Sequence, residues 1–326
     1  MNKLEDKFGR QITYLRLSVT DRCNLRCNYC MPEMGMTFTP KKEILSYEEM
    51  LILSELLGEL GINKIRITGG EPFVRKDLIY FLKNLVSLPS IDQVSITSNL
   101  TLIKPYLVEL KQLGITSINV SLDALEKQKF FKITRRDVFE EVRSTLYEMI
   151  EMEFKLKINC VVMKDQNEDQ IIPLLELARL NNLSVRFLEE MPFNGMGESK
   201  SELLNYKEIL ALIEEQYEFS RLIDEPSSTS MNYKIDGFEG NFGIIPSFSR
   251  TFCGECNRLR LSATGEVRTC LYGGNELNLR DMLRSGRSVE EMKKELILAV
   301  DRKPKDGFAA AEQNERTYLS MTKLGG

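Results

Sequence analysis

Three cysteines close to the start of the chain form a compact set of potential metal ligands. Cys23, Cys27 and Cys30 lie within eight residues, with three and then two residues between them. A structural zinc ion takes four protein ligands, and the chain contains no histidine to complete the set. Three thiolates suit an iron–sulfur cluster in which one iron stays open to a further ligand. The alternative is a loop of three reduced thiols, or a redox pair.

A second set of three cysteines lies near the other end of the chain. Cys253, Cys256 and Cys270 have two and then thirteen residues between them. A zinc knuckle would need Cys160 as its fourth ligand. However, Cys160 lies in the apolar run 158–162, which favours a small buried hydrophobic side chain. The second set therefore also predicts an iron–sulfur cluster with one open iron.

Cationic side chains accompany the second set of cysteines. Arg258 and Arg260 are two residues apart, so they point to the same side of a strand. Two guanidinium groups beside an open cluster indicate an anionic substrate that is held by bidentate contacts. The alternative is a pair of surface arginines that bind nearby carboxylates. Further cations at predicted strand positions favour the substrate interpretation, namely Arg16, Arg66 and Lys157.

A glycine-rich turn follows one of the predicted strands. Gly69-Gly70-Glu71-Pro72 lets the backbone approach a ligand closely, so that its N–H groups could bind a carboxylate and its carbonyls an ammonium group. Alone, the two glycines would indicate only an ordinary turn. Located some 40 residues after the first cysteines, the turn resembles the motif that holds the amino group of the cofactor's methionine in radical S-adenosylmethionine enzymes.

The elements that must position these residues alternate between strands and helices. A capping box at Ser46 and Glu49 begins the clearest helix, and a second box at Ser288 and Glu291 begins another. Such alternation predicts a parallel sheet with right-handed crossovers, either an open doubly wound sheet or a partial barrel. The six predicted strands are 14–19, 64–68, 93–97, 117–122, 155–163 and 184–188, and the other helices are about 77–87, 104–113, 137–153 and 168–180.

Composition limits the classes of function. The 326 residues carry a formal net charge of −4, so no broad basic surface points to nucleic acid or a membrane as partner. The N-terminal residues lack the apolar segment of a secretory signal, and no apolar run is long enough to span a bilayer. Seven cysteines in such a chain favour metal ligation in a reducing cytoplasm over disulfides. The length predicts two domains.

Taken in order, these segments resemble the GTP 3′,8-cyclase family of radical S-adenosylmethionine (SAM) enzymes. The resemblance implies an α/β fold, a partial (β/α)6 TIM-like barrel over residues 1–220, and a C-terminal iron–sulfur extension over 221–326 that closes the barrel. It also implies two 4Fe–4S clusters, one that binds SAM and one that binds the substrate. The segments that carry the resemblance are 20–32, 69–72, 121–124, the second cysteine set with its two arginines, and the terminal Gly325-Gly326.

The same resemblance implies a role for particular residues. Cys23, Cys27 and Cys30 would hold the SAM-binding cluster, and Cys253, Cys256 and Cys270 the cluster whose open iron binds guanine. The residues implied to contact SAM are Tyr29, Gly70, Ser121 and Met191. Those implied to contact GTP are Arg16, Arg66, Thr97, Lys157, Arg258 and Arg260. The implied catalytic residues are the first three cysteines together with Arg258 and Arg260. At Thr97-Ser98-Asn99-Leu100 the chain departs from the Thr-Thr-Asn-Gly of many relatives, with Leu100 at the position of the glycine.

The reaction that the resemblance implies begins with reductive cleavage of SAM to methionine and a 5′-deoxyadenosyl radical. That radical would take hydrogen from C3′ of GTP, and C3′ would then bond to guanine C8. The implied partners are GTP, SAM, an electron donor, a cyclic pyranopterin monophosphate synthase that takes the product, and a second copy of the chain in a homodimer. Gly325-Gly326 would enter the active site; the alternative is a frayed terminus.

Two other classes of protein remain open at this point. A peptide-modifying radical SAM enzyme also carries auxiliary clusters, generally with more than three cysteines. A non-catalytic iron–sulfur electron carrier would need neither the glycine-rich turn nor a cavity lined by cations.

Overall fold

The computed structural model describes residues 3–191, 193, 203–313 and 320–324. Within them, twelve strands form one continuous sheet. The strands are β1 (Tyr14–Ser18), β2 (Lys64–Thr68), β3 (Gln93–Ser98), β4 (Ser117–Ser121), β5 (Lys155–Val162), β6 (Ser184–Glu189), β7 (Phe219–Arg221), β8 (Met231–Ile235), β9 (Asn241–Ile245), β10 (Arg258–Leu261), β11 (Glu266–Arg268) and β12 (Leu277–Asn278).

The helices of the described ranges alternate with the first six strands and then follow β12. They are α1 (Tyr47–Glu59), α2 (Leu78–Val86), α3 (Leu107–Gln112), α4 (Lys127–Thr134), α5 (Phe139–Glu151), α6 (Ile171–Glu176), α7 (Tyr206–Glu214), α8 (Leu279–Arg284), α9 (Val289–Asp301), α10 (Gly307–Glu312) and α11 (Met321–Leu324). None of the helices in the described part of the chain is long and apolar enough to cross a membrane.

Strand order decides between the two architectures that the alternation allowed. The order across the sheet is β12-β11-β10-β1-β2-β3-β4-β5-β6-β9-β8-β7, and β1 to β6 are parallel and in chain order. A doubly wound sheet would reverse its order at a switch point, whereas successive right-handed crossovers without reversal curl a sheet into a barrel. The prediction of a partial barrel is therefore confirmed.

The C-terminal residues extend the same sheet at both edges. β10 pairs in parallel with β1, and β9 pairs in parallel with β6. The turn at Gly265, which has a φ of +85°, joins β10 to the antiparallel β11. The division into domains at residues 220 and 221 stays a prediction; it falls inside β7, and the sheet runs through it.

Alternation along the strands separates the hydrophobic core from a polar interior. In β5 the side chains of Leu156, Ile158, Cys160 and Val162 are buried in the core, while the residues between them are partly accessible. The interpretation of Cys160 as a buried hydrophobic residue is confirmed. The alternate residues of β5 face away from the core and include the polar side chains of Lys157 and Asn159, which a core would not need.

The helix predictions hold best where a capping motif marks the start. Both capping boxes are present, at Ser46 and at Ser288. The helix predicted over 168–180 is shorter, because after Glu176 the backbone changes to i→i−3 hydrogen bonds. The short helix α4 was missed, since it buries only Phe130, Ile133 and Thr134.

Candidate active site

The first three cysteines occupy the loop that follows β1, at the carboxyl ends of the parallel strands. Two backbone hydrogen bonds tie this loop to the end of α4, from Arg26 N to Thr134 O at 2.9 Å and from Asn28 N to Ile133 O at 3.0 Å. The Arg26 guanidinium donates to Cys23 O at 2.6 Å, and the Asn99 amide lies 3.8 Å from Cys23 Sγ. The loop is therefore fixed on both sides by the barrel.

The glycine-rich turn after β2 holds the cysteine loop. A Cβ at Gly70 would lie 2.3 Å from Arg22 O and 2.9 Å from Cys23 Cβ, so only glycine fits there. Gly70 N donates to Thr20 O at 2.9 Å and Glu71 N to Arg22 O at 2.8 Å. These two N–H groups bind the loop itself, so the expectation that they bind a ligand's carboxylate is not met here.

Burial governs the titration of the first set of thiols. It raises the pKa of Cys23 to about 12 and raises the pKa of Cys27 and Cys30 as well, and nearby carboxylates add to the effect. Both carboxylates are themselves buried, and burial raises the pKa of Glu71 to about 7 and that of Asp123 to about 6. Burial therefore disfavours the free thiolates, and a bound cation would favour them, as it does at metal sites where cysteine binds deprotonated.

Tyr29, Ser121 and Leu100 lie around this loop. The Tyr29 hydroxyl donates to Asp123 Oδ2 at 2.9 Å, which fixes its ring beside the cysteines. Ser121 ends β4 opposite Asn159 of β5. Leu100 has a φ of +66°, a left-handed conformation that glycine adopts freely and leucine rarely does. The loop 97–100 therefore keeps, at Leu100, the backbone conformation that suits the glycine of many relatives.

A C-terminal segment also reaches the first cysteines. The Ser320 hydroxyl donates to Cys30 O at 2.7 Å and lies 4.0 Å from Cys30 Sγ. The backbone N–H groups of Met321 and Thr322 also hydrogen-bond Cys30 and favour its thiolate. Gly325 and Gly326 lie outside the described residues, so their entry into the site stays a prediction.

A cavity of about 350 Å³ lies on the polar side of the barrel. Its lining includes all three cysteines of the second set, and Met191 and Met321 also contribute. Among the described residues that line it, seven side chains are cationic and one, Glu225, is a carboxylate. The cations are Arg16, Lys64, Arg66, Lys157, Arg186, Arg258 and Arg260.

Strand pairing places the arginines side by side. Arg260 of β10 is in register with Arg16 of β1, which is in register with Arg66 of β2. Burial lowers the pKa of Arg260 to about 10 and that of Arg186 to about 10, and neighbouring cations add to both shifts. Like charges on adjacent strands destabilise each other. This arrangement fits a site that binds a polyanion.

Polar atoms without partners show what the cavity could bind. Within the described part of the chain, the buried Arg66 Nη1, Thr97 Oγ1 and Arg258 Nη1 have no hydrogen-bond partner. The same holds for Asn119 Oδ1 and Asn159 Oδ1. A buried polar group without a partner costs about 1–3 kcal/mol, so a ligand with both acceptors and donors would stabilise this cavity. Phosphate oxygens and ribose hydroxyls together have that character.

The second set of cysteines is anchored by two cations. Arg10 donates to Cys253 O at 3.0 Å and to Pro304 O at 2.7 Å, and Lys303 Nζ lies 3.9 Å from Cys256 Sγ. Burial alone would raise the pKa of Cys256, but Lys303 and Arg258 outweigh it and lower the pKa to about 7. Burial raises the pKa of Cys253. The Cys256 thiol therefore lies in a more positive environment than the thiols of the first set.

Both thiol sets fit a cluster better than a single ion. No group of three or more Cys, Asp or Glu side chains in the described residues converges closely enough to bind one metal ion. A cubane binds each thiolate at a separate iron, so its ligands surround a larger space. Within each set the thiols are near enough to influence one another electrostatically.

The structure brings together the residues that the sequence assigned to the substrate. Thr97, the cations of that assignment and the second cysteines all line the cavity. Met191, which the sequence assigned to SAM, lines it as well, while Tyr29 and Gly70 lie beside the first cysteines. Sequence reasoning missed Tyr14, Lys64, Asn119, Asn159 and Arg186, which line the cavity as well. The signal was available, since each is a polar residue at an alternating position of a predicted strand.

Models of two protein families match the chain in succession. Residues 17–178 match the Radical SAM superfamily and residues 183–309 match Molybdenum Cofactor Synthesis C. The mitochondrial GTP 3′,8-cyclase of Arabidopsis thaliana is 42% identical over 99% of this chain and 83% of the relative. The GTP 3′,8-cyclase of Syntrophomonas wolfei is 41% identical over 98% of this chain and 99% of the relative.

Other relatives are longer than this chain. Molybdenum cofactor biosynthesis protein 1 of Homo sapiens is 42% identical over 98% of this chain but 51% of its own length. The chain likewise spans about half the length of several similar animal proteins. Among solved structures, SuiB of Streptococcus suis bound to its precursor peptide SuiA has a TM-score of 0.61, with 16% identity over 95% of this chain and 69% of SuiB. That likeness concerns the fold alone.

Proposed function

Because the chain belongs to the GTP 3′,8-cyclase family of radical SAM proteins, we propose that it converts GTP into (8S)-3′,8-cyclo-7,8-dihydroguanosine 5′-triphosphate. This would be the first step of molybdenum cofactor biosynthesis, in keeping with the family model that matches its C-terminal part. The observation that carries the proposal is a cavity that combines three thiols with seven cations.

Cys23, Cys27 and Cys30 would hold the cluster that binds SAM. That cluster, when bound, supplies the electron that cleaves SAM to methionine and a 5′-deoxyadenosyl radical. The chain's part is to fix the loop, through the close approach at Gly70 and the hydrogen bonds of Arg26. We assign SAM contacts to Tyr29, Gly70, Ser121 and Met191. Tyr29 is already oriented by Asp123.

The cations would bind and orient GTP. We assign Arg16, Arg66, Thr97 and Lys157 to the nucleotide, and add Lys64 and Arg186 from the cavity lining. Arg258 and Arg260 stand next to the second cysteines in sequence and line the same cavity, so they would hold the end of the nucleotide that faces that cluster. With several cations fixed before binding, the triphosphate loses its water shell to a preorganised set of donors.

A second 4Fe–4S cluster on Cys253, Cys256 and Cys270 is part of the same proposal. Its open iron would offer a ligand position to guanine. The alternative of a peptide substrate fits less well, because among the described lining residues only Glu225 offers a carboxylate to a basic peptide, while seven cations favour a polyanion.

Three partners complete the proposal: an electron donor, a cyclic pyranopterin monophosphate synthase that takes the product, and a second copy of the chain in a homodimer. Anaerobic incubation of reconstituted protein with SAM, a reductant and GTP tests the function, with products identified by mass. We expect 5′-deoxyadenosine and an isomer of GTP to form together. Formation of 5′-deoxyadenosine alone in the presence of GTP would contradict the substrate assignment.

The affinity for GTP should fall as the pH rises. Burial, followed by the charges of Arg186 and Arg66, lowers the pKa of Lys157 to about 8. Burial alone would raise the pKa of Tyr14, but Arg66 and Arg16 outweigh it and lower the pKa to about 8. Above this value the cavity loses a cation and gains an anion, and both changes weaken binding of a triphosphate. Between about pH 7 and 8.5 we expect about a tenfold loss of affinity.

Two conservative variants test this dependence. Lys157→Arg and Tyr14→Phe each remove one titrating group, so each should flatten the pH profile of the GTP dissociation constant, measured by calorimetry. The double variant should show almost no dependence. A steep profile in the double variant would place the titrating group elsewhere.

A further inference from the structure

A buried lysine with no acidic partner lies beside the second set of cysteines. Lys303 follows α9 and is 2% exposed. No ion pair of Lys303 with a carboxylate is present within the described ranges. Its ammonium group donates instead to Thr269 O, to Arg258 O at 3.2 Å and to Cys256 Sγ at 3.9 Å.

This arrangement is costly unless negative charge lies close by. Burying an ammonium group without a counter-ion costs several kcal/mol, and two carbonyl dipoles compensate only in part. The nearby carboxylate of Glu276 is directed elsewhere, to the Thr269 hydroxyl at 3.3 Å and to Arg302 at 3.7 Å. The thiolates of the second set, as cluster ligands, are the anions that Lys303 can reach.

The acceptors of Lys303 belong to the two segments that carry ligands. Arg258 is two residues after Cys256, and Thr269 immediately precedes Cys270. Between them lies the hairpin of β10 and β11. One ammonium group therefore ties together two ligand segments that are far apart along the chain.

Cys256 differs from the first set in the sign of the charge around it. Glu71 and Asp123 act on the first set, with Arg26 opposing them at Cys23. Lys303, Arg258 and Arg260 act on Cys256, whereas the carboxylate of Asp306 acts on Cys253. Reduction adds a negative charge to a cluster, so nearby cations favour the reduced form and raise the reduction potential, while carboxylates lower it. Hydrogen bonds to cluster sulfur act in the same direction as the cations.

We propose that Lys303 is a positioning residue of the second cluster, which holds the Cys256 and Cys270 segments together and raises the cluster's reduction potential. This inference rests on the second cluster of the proposed function. A higher potential keeps the second cluster from competing as a reductant.

The test isolates the second cluster. In a background with Cys23, Cys27 and Cys30 replaced by Ala, we compare Lys303→Met with Lys303→Arg and the unchanged lysine, by iron content and by a redox titration followed by electron paramagnetic resonance. Methionine keeps the length of the stem and removes the charge. We expect Lys303→Met to lower the reduction equilibrium constant at least tenfold, which is about 59 mV for one electron. Lys303→Arg should restore most of the potential.

Lys305→Met is the matched control, because Lys305 lies two residues away and is exposed. It should change neither iron content nor potential. An iron-loaded Lys303→Met variant with an unchanged potential would overturn the inference. If Lys303→Met lost its iron, an iron-loaded Lys303→Arg variant would support the positioning role, and loss of iron in both would refute a role of the charge. A background that binds no iron at all would instead refute the second cluster itself.

Discussion

Replacement of Cys253, Cys256 and Cys270 together by Ala should remove about four of about eight irons from the reconstituted protein. SAM should still be cleaved, because the loop of Cys23, Cys27 and Cys30 is fixed by α4 and by the turn at Gly70 rather than by the second set. The cyclised nucleotide should no longer form, since the cavity would have lost the group that orients guanine. Iron analysis, 5′-deoxyadenosine yield and product mass give the three readouts.

Cys160→Ala is the matched control for this experiment. Cys160 is fully buried in the core of β5 and does not line the cavity, so its removal should leave the iron content unchanged. A triple variant that lost all of its iron would contradict the assignment of two independent clusters. So would a wild-type protein that saturates at about four irons.

Arg260→Met should weaken GTP binding by roughly 1.5–3 kcal/mol, which is about 10- to 150-fold, while SAM binding barely changes. Arg260 lines the cavity next to Arg16, and a charge-assisted contact to an anionic ligand is worth this much. Arg258→Met should act in the same direction. In the Arg258 guanidinium, the buried Nη1 has no hydrogen-bond partner, and Nη2 donates a hydrogen bond to Ser227 O at 2.8 Å.

Calorimetry with each ligand separately checks this prediction. Arg143→Met serves as the control, because Arg143 is exposed on α5 and pairs with Glu140 of the same helix. If Arg260→Met weakened SAM and GTP binding equally, the arginine would be acting through the fold of the barrel. A loss confined to GTP assigns it to the substrate.

Much of the barrel follows from local patterns along the chain. The six strands lie within a residue or so of their predicted ends, because each is an apolar or alternating run bounded by turn residues. The two capping boxes mark α1 and α9 because a side chain there satisfies N–H groups that the helix leaves unpaired. Weaker patterns failed, as at the short helix α4 and at the early end of α6.

The two cysteine sets can likewise be predicted from the sequence, because ligand type and spacing are local properties of the chain. What the sequence by itself determined is therefore the chemistry that the chain can supply: two groups of three thiols, a glycine that must admit a close neighbour, and arginines at alternating positions of a strand.

Only the tertiary structure decided which of these residues meet. Parallel pairing of β10 with β1 sets Arg260 beside Arg16, although the two are far apart in sequence. The tertiary structure also brings Lys64 and Arg186 into the cavity and buries Lys303 beside Cys256. Such contacts depend on long-range strand pairing and on the order of crossovers, which local patterns do not encode. The sequence thus carries the reactive groups, and the long-range pairing of the strands brings them into one site.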